Sequence, residues 1–356
     1  MSPSLAISQP HGAFARVEEW LCEQGFFRSG GEDLVADLYL GYGLSETIRR
    51  EGAPAPLEPC PLPLAYVAVR ESRESNQLAP IRARAGDWEQ TWTAAEYGAA
   101  VDAVREAIAL GDVYQVNLVQ HLSAPFAGDA RQLAGSLADL RPLVPRPLAA
   151  DGWSIVSASP ELFLARRGDL VWTKPIKGTR PRGESIDLAL SAKDAAEHVM
   201  IVDLERNDLS RVCRPGSVRW PELMTPLAAA GVEHLVSTVE GRLRPDVGLA
   251  ELLEATFPGG SVTGAPKIAA VDLIAQLEPV GRGASMGALG WVRGNGDLDL
   301  ALTIRTFAIA EERIHLWVGG GIVWDSEPAE EIEESWTKAE PLLARLGSEV
   351  SAKVLR

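Results

Sequence analysis

The C-terminal third of the chain alternates apolar segments with brief glycine-bearing turns, and that spacing constrains the fold more than any other feature. Segments at 284–293, 299–309 and 312–323 read as strands, and the connections at 293–299 and 309–313 are too short to hold a crossover helix. Parallel neighbours need a crossover of a dozen or more residues, so these strands are expected to pair antiparallel. Further strands are predicted at 61–70, 113–122, 153–158, 161–166 and 232–239. Helical periodicity occupies 94–110, roughly 187–210, 248–256 and 265–278, with Pro266 suited to a first helical turn. The long second helix is entered through SAKD, a Ser-x-x-acid capping signal. The expected class is α+β: a single large domain of mostly antiparallel β-sheets packed together and covered by helices. No shift in composition marks a linker. Residues 1–93 are read as an N-terminal scaffold within the same domain, 94–346 as the region bearing the chemistry, and 347–356 as a C-terminal tail. The first hundred residues yield only Gly/Pro-rich turns and one apolar strand.

Charge narrows the function. Forty-nine acidic against 34 basic residues in a chain of 356 leave a formal charge of −15. Nucleic acid is bound by neutralising its phosphates with Lys and Arg, and the densest basic stretch, KGTRPRG from Lys177, is short and interrupted by Pro and Gly. No run approaches the roughly 18 to 20 apolar residues of a spanning helix, and the N-terminus has no basic start followed by an apolar core, so no membrane partner and no signal peptide are expected. The cysteines Cys22, Cys60 and Cys213 are widely spaced and form no CxxC pair, which fits a reduced, cytoplasmic compartment.

Several motifs have both a plain and a chemical reading. FPGGSVTGAPK places Gly259 and Gly264 at Walker A spacing, but Ala265 stands where that motif needs Lys. GRGASMG misses GxGxxG by one position. Both read as backbone turns, although the first leads into a helix and could present N–H groups to a carboxylate. DSEPAEEIEESWTKAEPLL reads as a helix from near Pro328, with Ile332, Trp336, Ala339 and Leu343 as its apolar stripe. Glu331 and Glu334 share a flank of it. By spacing alone they are solvated first-turn acids favouring the helix dipole, and the alternative is a Mg²⁺ site, since a hard cation takes carboxylate oxygens. Glu197 beside Val199 and Val202 reads as a structural carboxylate. Lys177 in PIKGT is either solvated or a pocketed amine made nucleophilic by desolvation. Arg305 interrupts LALTIRTFAIA, where it either faces out of a half-exposed strand or faces in and needs an anion.

Order and spacing decide what single motifs do not. GDVYQVNL (111–118), SPELFL (159–164), PIKGTRPR (175–182), AEHVMIVDLERNDL (196–209), HLVSTVEG (234–241), FPGGSVTGAPK (257–267), LTIRT (302–306) and GGGIVWDS…EEIEES (319–335) together resemble the chorismate-binding enzymes. The likeness covers about residues 95–345. It implies a single α+β domain, chorismate as substrate and dependence on Mg²⁺.

Within that family, a Lys at 177 resembles the members that aminate ring carbon 4, giving 4-amino-4-deoxychorismate for 4-aminobenzoate, a precursor of folate or of a secondary metabolite. Anthranilate- and isochorismate-forming members carry Ala there. Water-adding members carry Lys where this chain has Gln115, and an amide cannot act as that base. The resemblance implies that Lys177 forms a covalent ring adduct and that Glu161 is the general acid for the departing hydroxyl. Glu197, Glu331 and Glu334 would hold Mg²⁺, with Asp194 beyond them, which reverses the plain reading of the acidic helix. Arg305 and Lys338 would grip the enolpyruvyl carboxylate, Gly178, Thr179, Gly319 and Gly321 would line the substrate, and His234 would lie near the reacting ring. No cysteine sits in a glutaminase setting, so ammonia is expected from a separate glutamine amidotransferase subunit in a heterodimer. Two readings compete with carbon-4 amination: anthranilate formation, and a catalytically weakened chorismate-binding or subunit-organising homologue. The second is motivated by Ser285, which stands where the family commonly has a substrate-contacting Tyr. The N-terminal part is shorter than usual, and a Trp-binding pocket is not recognisable in it.

Overall fold

A computed structural model describes residues 3–50, 54–70, 83–181, 192–229 and 232–347, with backbone only at 177–181, 192–196, 227–229 and 232–234. Two antiparallel sheets dominate, of ten and eight strands among the described residues. The larger runs in spatial order Ser4–Ile7, Ala65–Val69, Val35–Leu40, Ala288–Arg293, Leu298–Leu302, Leu162–Arg167, Leu170–Lys174 and Val232–Arg242. Val232–Arg242 also pairs with Ile176–Pro181, which continues the line of Leu170–Lys174, and with Arg219–Ala229. The smaller sheet is centred on Gln115–Ala127, Arg313–Ile322, Thr306–Ala310 and Trp153–Ser157. The expected α+β class holds, and the short connections at 293–299 and 309–313 join antiparallel partners.

Seven α-helices cover the sheets among the described residues: α1 (Ala13–Glu23), α2 (Ala94–Leu110), α3 (Ala130–Leu137), α4 (Ala192–Ser210), α5 (Leu249–Thr256), α6 (Lys267–Leu277) and α7 (Pro328–Leu343). The local chemistry of α2 sets its ends. Thr93 and Glu96 form a capping box, and Gly111 ends the helix in the left-handed region at φ 82°. α1 was not expected. Its buried stripe of Phe14, Val17 and Leu21 packs in the main core with Leu252 and Leu253 of α5. Pro266 caps α6 rather than entering its first turn. Residues 187–191, including the Ser of the SAKD signal, lie outside the described residues.

Alternation along Arg313–Ile322 shows how the layers are built. Ile314, Leu316 and Val318 join Trp336, Ala339 and Leu343 of α7 and Leu133 and Leu137 of α3 in an outer core. Trp317 turns the other way, into the main core with Leu38, Tyr39 and Leu40 of the larger sheet. α7 is held on this strand layer by Gln120, whose Nε2 donates to Ser335 Oγ (2.7 Å).

One sequence expectation is corrected in a way that builds the site. The apolar run 299–309 is two strands, Leu298–Leu302 in the larger sheet and Thr306–Ala310 in the smaller, so Arg305 is not a strand residue but lies where the chain passes between sheets. The segment between Trp153–Ser157 and Leu162–Arg167 makes the same passage. The two crossings lie side by side: Ala158 N–H donates to the Arg305 carbonyl, and Leu302 N–H to that of Glu161, each at 2.9 Å.

Candidate active site

The paired crossings put an acid and a base of opposite charge together. Glu161 is 4% exposed, and its N–H donates to Ser159 Oγ (3.3 Å). Arg305 takes φ 50°, a left-handed backbone that a branched-free but bulky residue seldom adopts without cause. Burial pulls its guanidinium below the usual arginine range, opposed by attraction to Glu161. Beside them Ser285 is fully buried and donates to the Thr303 carbonyl (3.3 Å).

The second half of the site is α7 lying over Gly319, Gly320 and Gly321. Each glycine leaves room for a different neighbour. A Cβ on Gly319 would lie 1.9 Å from the Leu118 carbonyl oxygen, and one on Gly321 would lie 2.1 Å from Gln115 Nε2. On Gly320 it would sit 3.2 Å from Glu331 Oε2, 3.4 Å from Glu334 Oε1 and 3.5 Å from Lys338 Nζ. The bare backbone therefore admits two carboxylates and an ammonium onto one spot. Lys338 donates to the Gly319 carbonyl (2.8 Å) and pairs with Glu334 (2.6 Å). Glu331 is buried at 6% exposure. Convergent carboxylates over a glycine cradle suit a hard cation. Glu197 is half-buried on α4, and among the described residues no three acids, histidines or cysteines gather into one metal-binding group.

The Gly-rich turn connects the two halves. A Cβ on Gly259 would lie 3.1 Å from Leu302 and 3.4 Å from Phe163, next to Glu161. Gly264 and Ala265 pair with Val116 and Gln115. Gln115 Oε1 and Asn117 Nδ2 are buried with no hydrogen-bond partner, an arrangement that costs free energy unless something polar joins them.

Of the residues expected from the sequence, the structure places Glu161 with Arg305, and Gly319, Gly321, Glu331, Glu334 and Lys338 around the end of Arg313–Ile322, with this turn touching both groups. The side chains of Lys177, Gly178, Thr179, Asp194 and His234 lie outside the described residues. Their strands show only that Lys177 is in register with Leu235 and Thr179 with His234, with an irregularity between the two pairs. Buried ionic groups were missed: Glu205, the Lys267–Asp208 pair at 2.5 Å, and Glu278 bonded to Arg282 at 2.6 Å. The available signal was an acid or base at a position that helical spacing assigns to the core. A concavity of about 1180 Å³ lies elsewhere, lined by Asp37, Tyr66, Arg70, Arg146 and Trp153 among others.

Comparison with known proteins adds to this geometry. Residues 52–344 match the chorismate binding enzyme family. The chain belongs to that family. It is 40% identical over 287 residues to aminodeoxychorismate synthase component 1 of Klebsiella aerogenes, covering 76% of this chain and 63% of that protein. It is 38% identical over 329 residues to anthranilate synthase component 1 of Streptomyces coelicolor, covering 89% and 61%. The chain thus spans somewhat over three-fifths of these curated relatives. The crystal structure of anthranilate synthase component I from Streptococcus pneumoniae TIGR4 superposes with a TM-score of 0.82 at 27% identity, covering 91% of this chain and 85% of that one. The three cysteines are free, and among the described residues no helix is long and apolar enough to cross a membrane.

Proposed function

We propose that this chain is component I of an aminodeoxychorismate synthase, converting chorismate and ammonia into 4-amino-4-deoxychorismate and water. The observation that carries the reading is an amine at 177 combined with an amide at 115, so that the chain offers a nucleophile and no base for adding water. The Klebsiella aerogenes relative, named aminodeoxychorismate synthase component 1, supports it.

The chemistry runs through this chain's own groups. The neutral Lys177 amine forms a bond to ring carbon 2, the double bonds shift across the diene, and the carbon 4–oxygen bond breaks. A hydroxyl is a poor leaving group, and Glu161 supplies the proton with which it departs as water. Ammonia then bonds to carbon 4, the double bonds shift back, and Lys177 is released. Arg305 and Lys338 place two cations for the carboxylate of the enolpyruvyl arm. Gly178, Thr179, Gly319 and Gly321 line the substrate, and His234 lies near the ring. Mg²⁺ would be held by Glu331 and Glu334 with Glu197, and when bound it would neutralise the ring carboxylate. Relatives named component 1 support a second component, which we assign as a glutamine amidotransferase delivering ammonia in the cytoplasm.

Anthranilate synthesis is the second reading, favoured by the long match to the Streptomyces coelicolor protein. Purified chain incubated with chorismate, Mg²⁺ and ammonium separates the two. Carbon-4 amination yields 4-aminobenzoate only after a lyase is added, whereas fluorescent anthranilate without lyase refutes the proposal. Binding without turnover would favour the weakened homologue suggested by Ser285.

A further inference from the structure

Gln115 and Asn117 open the strand Gln115–Ala127 at alternate positions, so both side chains stand on one face of the smaller sheet. They are 1% and 8% exposed, and Gln115 Oε1 and Asn117 Nδ2 have no hydrogen-bond partner among the described residues. Their backbone is fixed from both sides and cannot swing to find one. Asn117 pairs with Gly321 on one side; on the other, Gln115 pairs with Ala265 and the Asn117 N–H donates to the Thr263 carbonyl (2.8 Å). Arg282, itself buried, donates to the Asn117 carbonyl (2.6 Å).

The two amides lie between the halves of the candidate site. A Cβ on Gly321 would lie 2.1 Å from Gln115 Nε2, so the bare backbone there is what admits the Gln115 amide beside Gly319 and Gly320. Across the strand, the Thr263 hydroxyl donates to the Gly259 carbonyl (3.0 Å), and Gly259 rests on Leu302 and Phe163, next to Glu161.

A buried acceptor and a buried donor on one face call for a group that both donates and accepts. Chorismate has two carboxylates and an ether oxygen, which only accept, and one hydroxyl, on carbon 4, which does both. A carboxylate would satisfy Asn117 and repel Gln115 Oε1. Ammonia would satisfy both only by giving its lone pair to Asn117, which removes the nucleophile.

We propose that Gln115 and Asn117 hold the carbon-4 hydroxyl, which donates to Gln115 Oε1 and accepts from Asn117 Nδ2 while its second lone pair takes the proton of Glu161. This assignment rests on the carbon-4 amination proposed above. As the carbon 4–oxygen bond breaks, its electron pair passes to the oxygen, Glu161 gives up its proton and water departs. The amides exchange no proton. Asn117 stabilises the charge that grows on the oxygen, which weights its effect towards kcat; Gln115 holds the hydroxyl of the bound substrate, which weights its effect towards KM.

Asn117→Leu and Gln115→Met keep the approximate volume and remove the polar atoms. Turnover is followed as chorismate loss with Mg²⁺ and saturating ammonium. The probe is the 4-deoxy analogue of chorismate, with hydrogen in place of the hydroxyl, used as a competitive inhibitor. Asn117→Leu should lower kcat by about 10–100-fold, and Gln115→Met should raise KM by about 3–10-fold. Inhibition by the 4-deoxy analogue should change by less than about threefold in either. An unpartnered buried amide adds no stability, so neither substitution should lower Tm by more than about 2 °C. Losses of equal size on the analogue, or a larger fall in Tm without selective loss, assign the amides a structural role and overturn the proposal. Unaltered kcat and KM in a folded variant overturn it too, leaving the amides as holders of ordered water only. Selective losses beside an anthranilate product keep the hydroxyl cradle and refute carbon-4 amination, since that product also requires the hydroxyl to leave. If the parent chain binds chorismate without turnover, calorimetric affinities replace the kinetics, and the proposal stands only where the substitutions weaken chorismate and spare the analogue.

Discussion

Replacing Arg282 by Met tests how the chain fixes the strand and turn that carry Gln115, Asn117 and Gly259. Arg282 is 1% exposed. Its guanidinium donates to both oxygens of Glu278 (2.8 and 2.6 Å), to the Val262 carbonyl (2.8 Å) and to the Asn117 carbonyl (2.6 Å). Glu278 in turn accepts from the Val119 N–H (3.1 Å). Removing the cation strands a buried carboxylate, and breaking such a pair costs about 3–5 kcal/mol. With an unfolding entropy near 2.1 cal/mol/K per residue over 356 residues, a 4 kcal/mol loss lowers Tm by about 5 °C. The pH dependence has a definite sign. Burial already raises the Glu278 carboxyl, opposed by Arg282, so its folded pKa climbs further in the variant. A carboxyl raised on folding stabilises while protonated and loses that stability as pH rises through its folded pKa. The deficit in Arg282→Met therefore grows as pH rises above the ordinary Glu value of about 4.3, and adding Glu278→Gln recovers at least half of it. Unfolding midpoints in urea at several pH values measure this. A single variant within about 1 kcal/mol of the parent at every pH, or a double variant no more stable than the single, refutes the reasoning.

Other outcomes follow from the same structure. Gly319→Ala puts a Cβ 1.9 Å from a backbone oxygen, and because that oxygen belongs to a paired strand the variant should lose several kcal/mol, about 2–4, read as a drop in soluble yield and Tm. His121 and His315 stack across neighbouring strands of the smaller sheet with Nε2 and Nδ1 3.0 Å apart, and burial lowers them to about 3 and about 4. Both are neutral when folded and take protons when unfolded, so stability falls as pH drops below about 6.5, by about 4 kcal/mol at pH 5 from the pair. A His121→Gln/His315→Gln protein should show a flatter acid limb in the same unfolding assay.

What was legible in the sequence follows from which interactions are local. The bounds of α2 were read correctly because Thr93, Glu96 and Gly111 set them within one turn. The hairpin connections were read for the same reason. The passage between sheets at Arg305 was not, because both flanking strands are buried and their apolar runs join without a break; only the sterics of the crossing, seen as φ 50°, separate them. α1 carries a sound helical stripe, but it has no side-chain cap and Gly12 precedes it, so it passed among turns. At the site, the resemblance named Glu161, Glu331, Glu334 and Arg305, yet nothing in their spacing says that Gly320 admits two acids. Glu205 went unnoticed because a carboxylate on a helix is usually solvated, and its burial comes from tertiary packing, with Gly260 against the adjoining Leu204 and the Thr173 hydroxyl bonded to the carboxyl.

The proposed carbon-4 amination requires a covalent bond between Lys177 and the ring of chorismate. Intact-mass and peptide analysis after quenching the protein with chorismate and Mg²⁺, without ammonia, reads that bond directly. The expected result is a mass gain of one chorismate less one water on the peptide containing Lys177, discharged when ammonium is added and absent from Lys177→Ala, which also loses ammonia-dependent turnover. A Lys177→Ala protein that retains full turnover, with no adduct on the parent chain, contradicts it.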